Sequence, residues 1–141
     1  MILHCTFEEL SAISAGAGRV LAEAGSGAAV VLAPPEVIAD VEALQPRLTG
    51  DISMTRLAEQ QSIARAVTYI VAEMKQRLDT LILEEHPASE FAVGAYFDYA
   101  HALTVQDRVV RIGAEMSAII ELATGRAPTA EAAREFTFPD A

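Results

Sequence analysis

Two stretches of this chain carry residues at strictly alternating three- and four-residue spacing. Leu57, Gln60, Ala64, Val67, Val71, Met74, Leu78, Leu81 and Glu85 form the first line, apolar except at Gln60 and Glu85. Phe91, Ala95, Asp98, Ala102, Val105, Val109, Ile112, Met116, Ile119 and Ala123 form the second, with Asp98 its one polar member. Such spacing puts every member of a line on one side of a helix, in the manner of a coiled-coil seam. No Gly or Pro interrupts the chain from Ser53 to His86. The first helix is therefore expected to start at Ser53 as N-cap and run to the "HPAS" break at 86–89. The second starts at Ser89 and closes at Gly125, placed as a C-terminal glycine. Each would hold roughly 34 residues and extend about 50 Å. The break is short, so the two should lie antiparallel as a long helical hairpin. Pairing them about the break sets Leu78 opposite Asp98.

The first 48 residues read differently. "MILHC" is a short apolar run that reads as a strand. Thr6 and Glu9 then stand at capping-box spacing and should open a helix. Phe7, Leu10, Ile13, Ala17, Leu21 and Ala24 continue it to the "GSG" break at 25–27. "AAVVLA" at 28–33 reads as a buried second strand, and "PP" at 34–35 opens a short amphipathic helix that closes at Pro46. The predicted order is strand, helix, strand, helix. A sheet of two strands is marginal alone, so it needs the helical region or another chain as cover. Residues 125–141 form a tail: "GRAP" as linker, "TAEAAREF" as a short capped helix, and Phe136 and Phe138 as the residues that would dock it. The expected fold class is α+β, mostly α. A small strand–helix–strand–helix part (1–48) packs on the hairpin (51–124), the tail (125–141) follows, and the whole forms one domain, 1–141.

Composition adjusts this picture in two ways. The 141 residues include 10 Lys and Arg against 20 Asp and Glu, a net charge of −10. Nucleic acids and anionic membrane surfaces both demand a basic face, so neither is expected as partner. Cys5 is the single cysteine, which excludes an internal disulfide and fits a reducing, cytoplasmic setting. The N-terminus lacks the basic and apolar regions of a signal peptide, and no run reaches the ~18 apolar residues of a membrane span.

Candidate chemistry centres on "YFDYAHA", residues 96–102. On the strict seam register Asp98 lies mid-stripe between Ala95 and Ala102, with His101 on its flank. A buried carboxylate must be paired, coordinated or protonated. One reading makes Asp98, His101, Glu85 and His86 a metal or acid–base site for a divalent transition metal. The single Asp-x-x-His lacks the second copy that helical di-iron bundles use, though a symmetric dimer could supply one. The other reading makes Asp98 a polar mark that fixes helix register, with no cofactor. Glu84, Glu85 and His86 end a helix, where the dipole favours a His. Cys5 precedes a helix start that could activate a thiol. "SAGAGR" at 14–19 lacks the glycine spacing of a phosphate loop, and it reads as a small-residue face for close helix packing. Tyr69, Tyr96, Phe97 and Tyr99 could line a pocket, but Tyr96, Phe97 and Tyr99 point around a full helix turn, so at least one should leave the hairpin seam and meet another chain or the N-terminal region.

The hairpin exceeds a compact domain in length. Its second apolar flank, Ile63, Ile70, Val110 and Ile120, exceeds what one partner helix covers. Both facts point to packing against the first region or against a second copy, and the expectation is a homodimer or higher homo-oligomer built partly from a four-helix arrangement, acting as a non-enzymatic interaction or regulatory module and open to a protein partner. The alternative is a small helical-bundle metal binder or enzyme with its site around Asp98 and His101.

Overall fold

The structure, a computed structural model, describes residues 1–26 and 33–139. It is mostly helical, with one small antiparallel sheet. In chain order the elements are β1 (Ile2–Leu3), α1 (Phe7–Gly25), α2 (Pro35–Leu44), a 3-10 turn (Gln45–Arg47), β2 (Ile52–Ser53), α3 (Leu57–Glu84), α4 (Glu90–Thr124) and α5 (Ala130–Glu135). The expected strand at 28–33 falls almost wholly on 27–32, outside the described residues.

β1 pairs with a strand the periodicity did not flag. Ile2 stands opposite Ser53 and Leu3 opposite Ile52, antiparallel. Ile52 and Met54 are buried while Ser53 between them is half-buried, the period-two alternation of a strand. Ser53 is thus a strand residue and not the N-cap of α3. That helix begins four residues later, with Arg56 in the N-cap position and no side-chain cap. The Glu59 carboxylate serves the region instead, accepting from the Thr55 N–H at 3.0 Å and from Arg47 Nη1 at 3.1 Å.

The other helix signals hold. Thr6 and Glu9 form the reciprocal capping box at the start of α1. Pro35 opens α2, and the helix gives way to the 3-10 turn that contains Pro46. The Ser89 side chain accepts from the Ala92 N–H at 3.1 Å. Gly125 closes α4 in the left-handed conformation, φ 74°, where a Cβ would clash with backbone. Thr129 caps α5. The segment after it docks as expected: Phe138 is buried, its N–H donates to Thr55 O at 2.7 Å, and its ring lies 5.0 Å from that of Phe136.

α3 and α4 run antiparallel. Gln60 meets Val109, and Thr68 meets Gln106, so residue numbers rise on one helix as they fall on the other. α1 lies across both, α2 packs on α3, and α5 packs on α3. Asp40 of α2 accepts from Ser62 Oγ at 2.6 Å and Arg65 Nε at 2.8 Å on α3. Gly16 lets α1 come close: a Cβ there would sit 2.5 Å from Ile70 Cγ2. The small-residue reading of "SAGAGR" holds at that position. Of the second apolar flank, Ile63, Ile70 and Ile120 are buried within the chain, and Val110 is exposed.

The seam register needs a correction. α4 buries Ala92, Ala102, Val105, Val109, Gly113, Met116 and Ile120. It exposes Phe91, Asp98 and Ile119, which the strict three–four line had placed inside. The two lines agree mid-helix and part at the ends. On a 3.6-residue helix Phe91 and Asp98 face the same way as the buried Val109 and Met116, so their exposure comes from their place toward the end of the hairpin and not from helix rotation. Ile119 lies off the contact face, as a drift of about 20° per heptad from a 3.5-residue repeat dictates.

Candidate functional site

Asp98 is exposed on α4, so the expectation of a buried carboxylate fails: it faces the seam side but stands toward the end of the hairpin. His101 is half-buried, and its Nδ1 lies 2.8 Å from the carbonyl of Phe97, one turn back on its own helix. Glu85 is the exposed C-cap of α3. His86 is exposed in the break, where its Nδ1 accepts from the Ala88 N–H at 3.1 Å. Both imidazoles are engaged with local backbone. Among the described residues no group of three or more His, Cys, Asp or Glu stands where it could hold a metal ion. Asp98→Ala should therefore change unfolding free energy by no more than about 0.5 kcal/mol, as for an ordinary surface substitution. Metal analysis of both proteins completes the check. Stoichiometric metal in the native protein that is lost on substitution would restore the metal reading.

Two buried polar residues carry the tertiary chemistry. The first is Glu9, read from sequence only as half of a capping box, and 3% exposed. Its Oε1 accepts from the Thr6 N–H at 2.8 Å. Its Oε2 accepts from Arg108 Nη2 on α4 and lies 2.5 Å from the Thr104 hydroxyl. Burial alone would raise the carboxyl pKa. The donors from Thr104, Thr6 and Arg108 outweigh it and hold the group at about 2, against an ordinary 4.5. A carboxylate so depressed and so fully hydrogen-bonded cannot exchange a proton near neutral pH. Glu9 is a clamp between the start of α1 and the middle of α4, not an acid or base. The sequence signal for the pair is only that Thr104 and Arg108 are one helical turn apart; their partner is about a hundred residues away.

The second is Gln60, 5% exposed, whose Nε2 donates to the Val109 carbonyl at 2.8 Å. It occupies the space that a side chain on Gly113 would need, since a Cβ there would lie 2.4 Å from Nε2. A buried amide that must meet one carbonyl fixes the register of α3 against α4. This is the role considered for Asp98, taken by Gln60, another of the three polar members of the two predicted seams.

The remaining candidates separate by location. Cys5 is half-buried beside this clamp, and burial pushes its thiol up despite the Arg108 charge, so it is not an activated nucleophile. Its N–H donates to Asp51 Oδ1 at 3.1 Å, and His4 Nδ1 lies 2.8 Å from Asp51 Oδ2 at the surface. Tyr69 lines an apolar groove between α2 and α3 with Val37, Ala64 and Ala72. Tyr96 and Phe97 stand edge to face at 5.9 Å and are each 56% exposed. With Leu83, 86% exposed, and Phe91, 67% exposed, they make the far part of the hairpin an uncovered apolar region. α1 is 19 residues long and α4 is 35, so the N-terminal elements do not reach along the whole hairpin.

No protein-family model, curated protein or solved structure matches this chain.

Proposed function

We propose that the chain is a non-enzymatic helical interaction module that assembles into homo-oligomers through its hairpin. The observation that carries this reading is the exposure of Leu83, Phe91, Tyr96 and Phe97 on the part of the hairpin that α1 leaves uncovered. Exposed large apolar side chains at one end of a helical hairpin are candidates for an interaction site. The buried polar groups support the same reading, because Glu9 and Gln60 are fully engaged in holding helices together. The net charge of −10 fits a protein partner and not a nucleic acid or an anionic membrane. No helix among the described residues is long and apolar enough to cross a membrane. The single cysteine supports a cytoplasmic setting.

Light scattering during size exclusion tests this. We expect a concentration-dependent species of at least twice the 15.0 kDa chain mass. A species that stays at 15.0 kDa from micromolar to millimolar protein would remove the homo-oligomer from the proposal.

A further inference from the structure

We infer that the end of the hairpin docks a basic amphipathic helix of another protein. This rests on the interaction-module reading above and goes beyond it, since a second copy is then the weaker occupant of the same surface. α1 meets α4 through Glu9 at Thr104 and Arg108, and comes close to Ile70 and Met74 on α3 at Gly16. From Thr104 toward the break, Ala100, Phe97, Val93 and Glu90 follow at alternating four- and three-residue spacing. They therefore continue the side of α4 that Glu9 reaches. Ala100 is half-buried, while Phe97, Val93 and Glu90 are exposed. Tyr96 stands edge to face with Phe97, and Ile82 and Leu83 are exposed in the last turn of α3. The stretch from Glu90 to Ala100 is about 15 Å long, nearly three turns. A helix laid there would continue the layer that α1 begins.

Charge selects the occupant. From Leu78 to Asp107 the chain has no Lys or Arg and six carboxylates: Asp79, Glu84, Glu85, Glu90, Asp98 and Asp107. These 30 residues thus carry −6 of the net −10, and all 10 Lys and Arg lie outside them. Lys75 pairs with Asp79, and Arg111 with Asp107. Among the described residues the other four have no ion-pair partner, and all four are exposed. An apolar surface alone would accept any apolar partner. This one is set among four uncompensated negative charges on two helix ends and the break between them. A second copy would bring its own four against them, and like charges juxtaposed on docking cost affinity. A helix whose apolar stripe is flanked by Lys and Arg makes the same apolar contact, adds attraction and is steered to it from a distance. An acidic helix is rejected by the same charges.

Two synthetic helical peptides of about five turns test the site on the full chain by titration calorimetry. Both place Leu at alternating three- and four-residue spacing; one fills the other positions with Lys, the second with Glu. The Lys peptide should bind at least a hundredfold more tightly than the Glu peptide, and more weakly as salt is raised. Removing the four charges of the site together, by Glu84→Gln, Glu85→Gln, Glu90→Gln and Asp98→Asn, should weaken the Lys peptide at least tenfold. Removing four exposed charges elsewhere, by Glu36→Gln, Glu42→Gln, Glu131→Gln and Glu135→Gln, should leave its affinity within about threefold. Phe97→Ser should weaken it at least fivefold with the melting temperature near native, because Phe97 is outside the core. Equal losses in the two charge variants would overturn the site in favour of net charge, as would binding indifferent to Phe97→Ser. A native oligomer in light scattering that takes up no Lys peptide would overturn this inference and leave the homo-oligomer reading standing. Site-dependent binding to a protein that stays monomeric would uphold the inference and remove the homo-oligomer alone.

Discussion

Arg108→Ala will destabilise the protein by about 3 kcal/mol at pH 7, the scale seen when one partner of a buried ion pair is removed. The reason is Glu9. Its carboxylate is almost wholly excluded from water, and among the described residues Arg108 is the one charged donor bonded to it. Without the guanidinium the carboxylate keeps the Thr6 N–H and the Thr104 hydroxyl. Those neutral donors offset less of the burial penalty, so the group must carry an uncompensated charge or take up a proton. The Arg108 side chain is about a third exposed, which puts the effect at the low end of the range for buried pairs.

The same clamp sets the acid limb of stability. A carboxyl depressed in the folded state binds its proton more readily in the unfolded chain. Its contribution is therefore complete above about pH 4.5 and is lost as pH falls toward about 2. At 1.36 kcal/mol per pKa unit the shift amounts to about 3 kcal/mol, reduced to about 2 by solvent near Arg108. Asp51, lowered by its bonds to His4 and Cys5, changes stability in the same direction. Glu73, raised by burial, changes it in the opposite direction. The difference between native protein and Glu9→Gln isolates the Glu9 share. Urea unfolding from pH 7 to pH 2 should show the native protein losing more stability than Glu9→Gln over that window. Parallel curves for the two proteins would mean the clamp does not hold Glu9 ionised.

Gly16→Ala will cost up to about 2 kcal/mol, although alanine is by itself the better helix former. The added Cβ falls 2.5 Å from Ile70 Cγ2 and 3.3 Å from Met74 Sδ. Ile70 is fully buried and branched at Cβ, so it cannot turn aside without disturbing its neighbours. Overpacking of this kind costs about 1–3 kcal/mol, and the helix-propensity gain of about 1 kcal/mol offsets only part of it. Gly18, two residues on in the same helix, has nothing within 4 Å of a Cβ. Gly18→Ala should therefore stabilise by about 0.5–1 kcal/mol. Thermal melts of the two variants should move in opposite directions. Ile70→Leu moves the branch one carbon outward and should recover part of the Gly16→Ala loss, a coupling that a double-mutant cycle would measure. Equal shifts for both glycine variants would show that α1 does not depend on the close approach.

What the chain's own order determined is local. Caps at Thr6, Ser89 and Thr129, the stop at Gly125 and the extent of α4 all follow from side chains that bond or pack within a few residues of themselves; the start of α3 did not, because pairing with β1 draws Ser53 into a strand. The short connection made the hairpin antiparallel before any contact was known. Tertiary structure decided everything that depends on rotation and on distant partners. Asp98 faces the same way as the buried Met116 but stands toward the end of the hairpin and is exposed, whereas Gln60, in the first turn of α3, is buried against Val109 and Gly113. β1 found its partner at Ile52–Ser53 because pairing is a matter of proximity, and a strand of two residues carries too little pattern to announce itself. Glu9 was legible as a cap. Its place as the clamp of α1 on α4 was not, since Thr104 and Arg108 are brought to it by packing across about a hundred residues of chain.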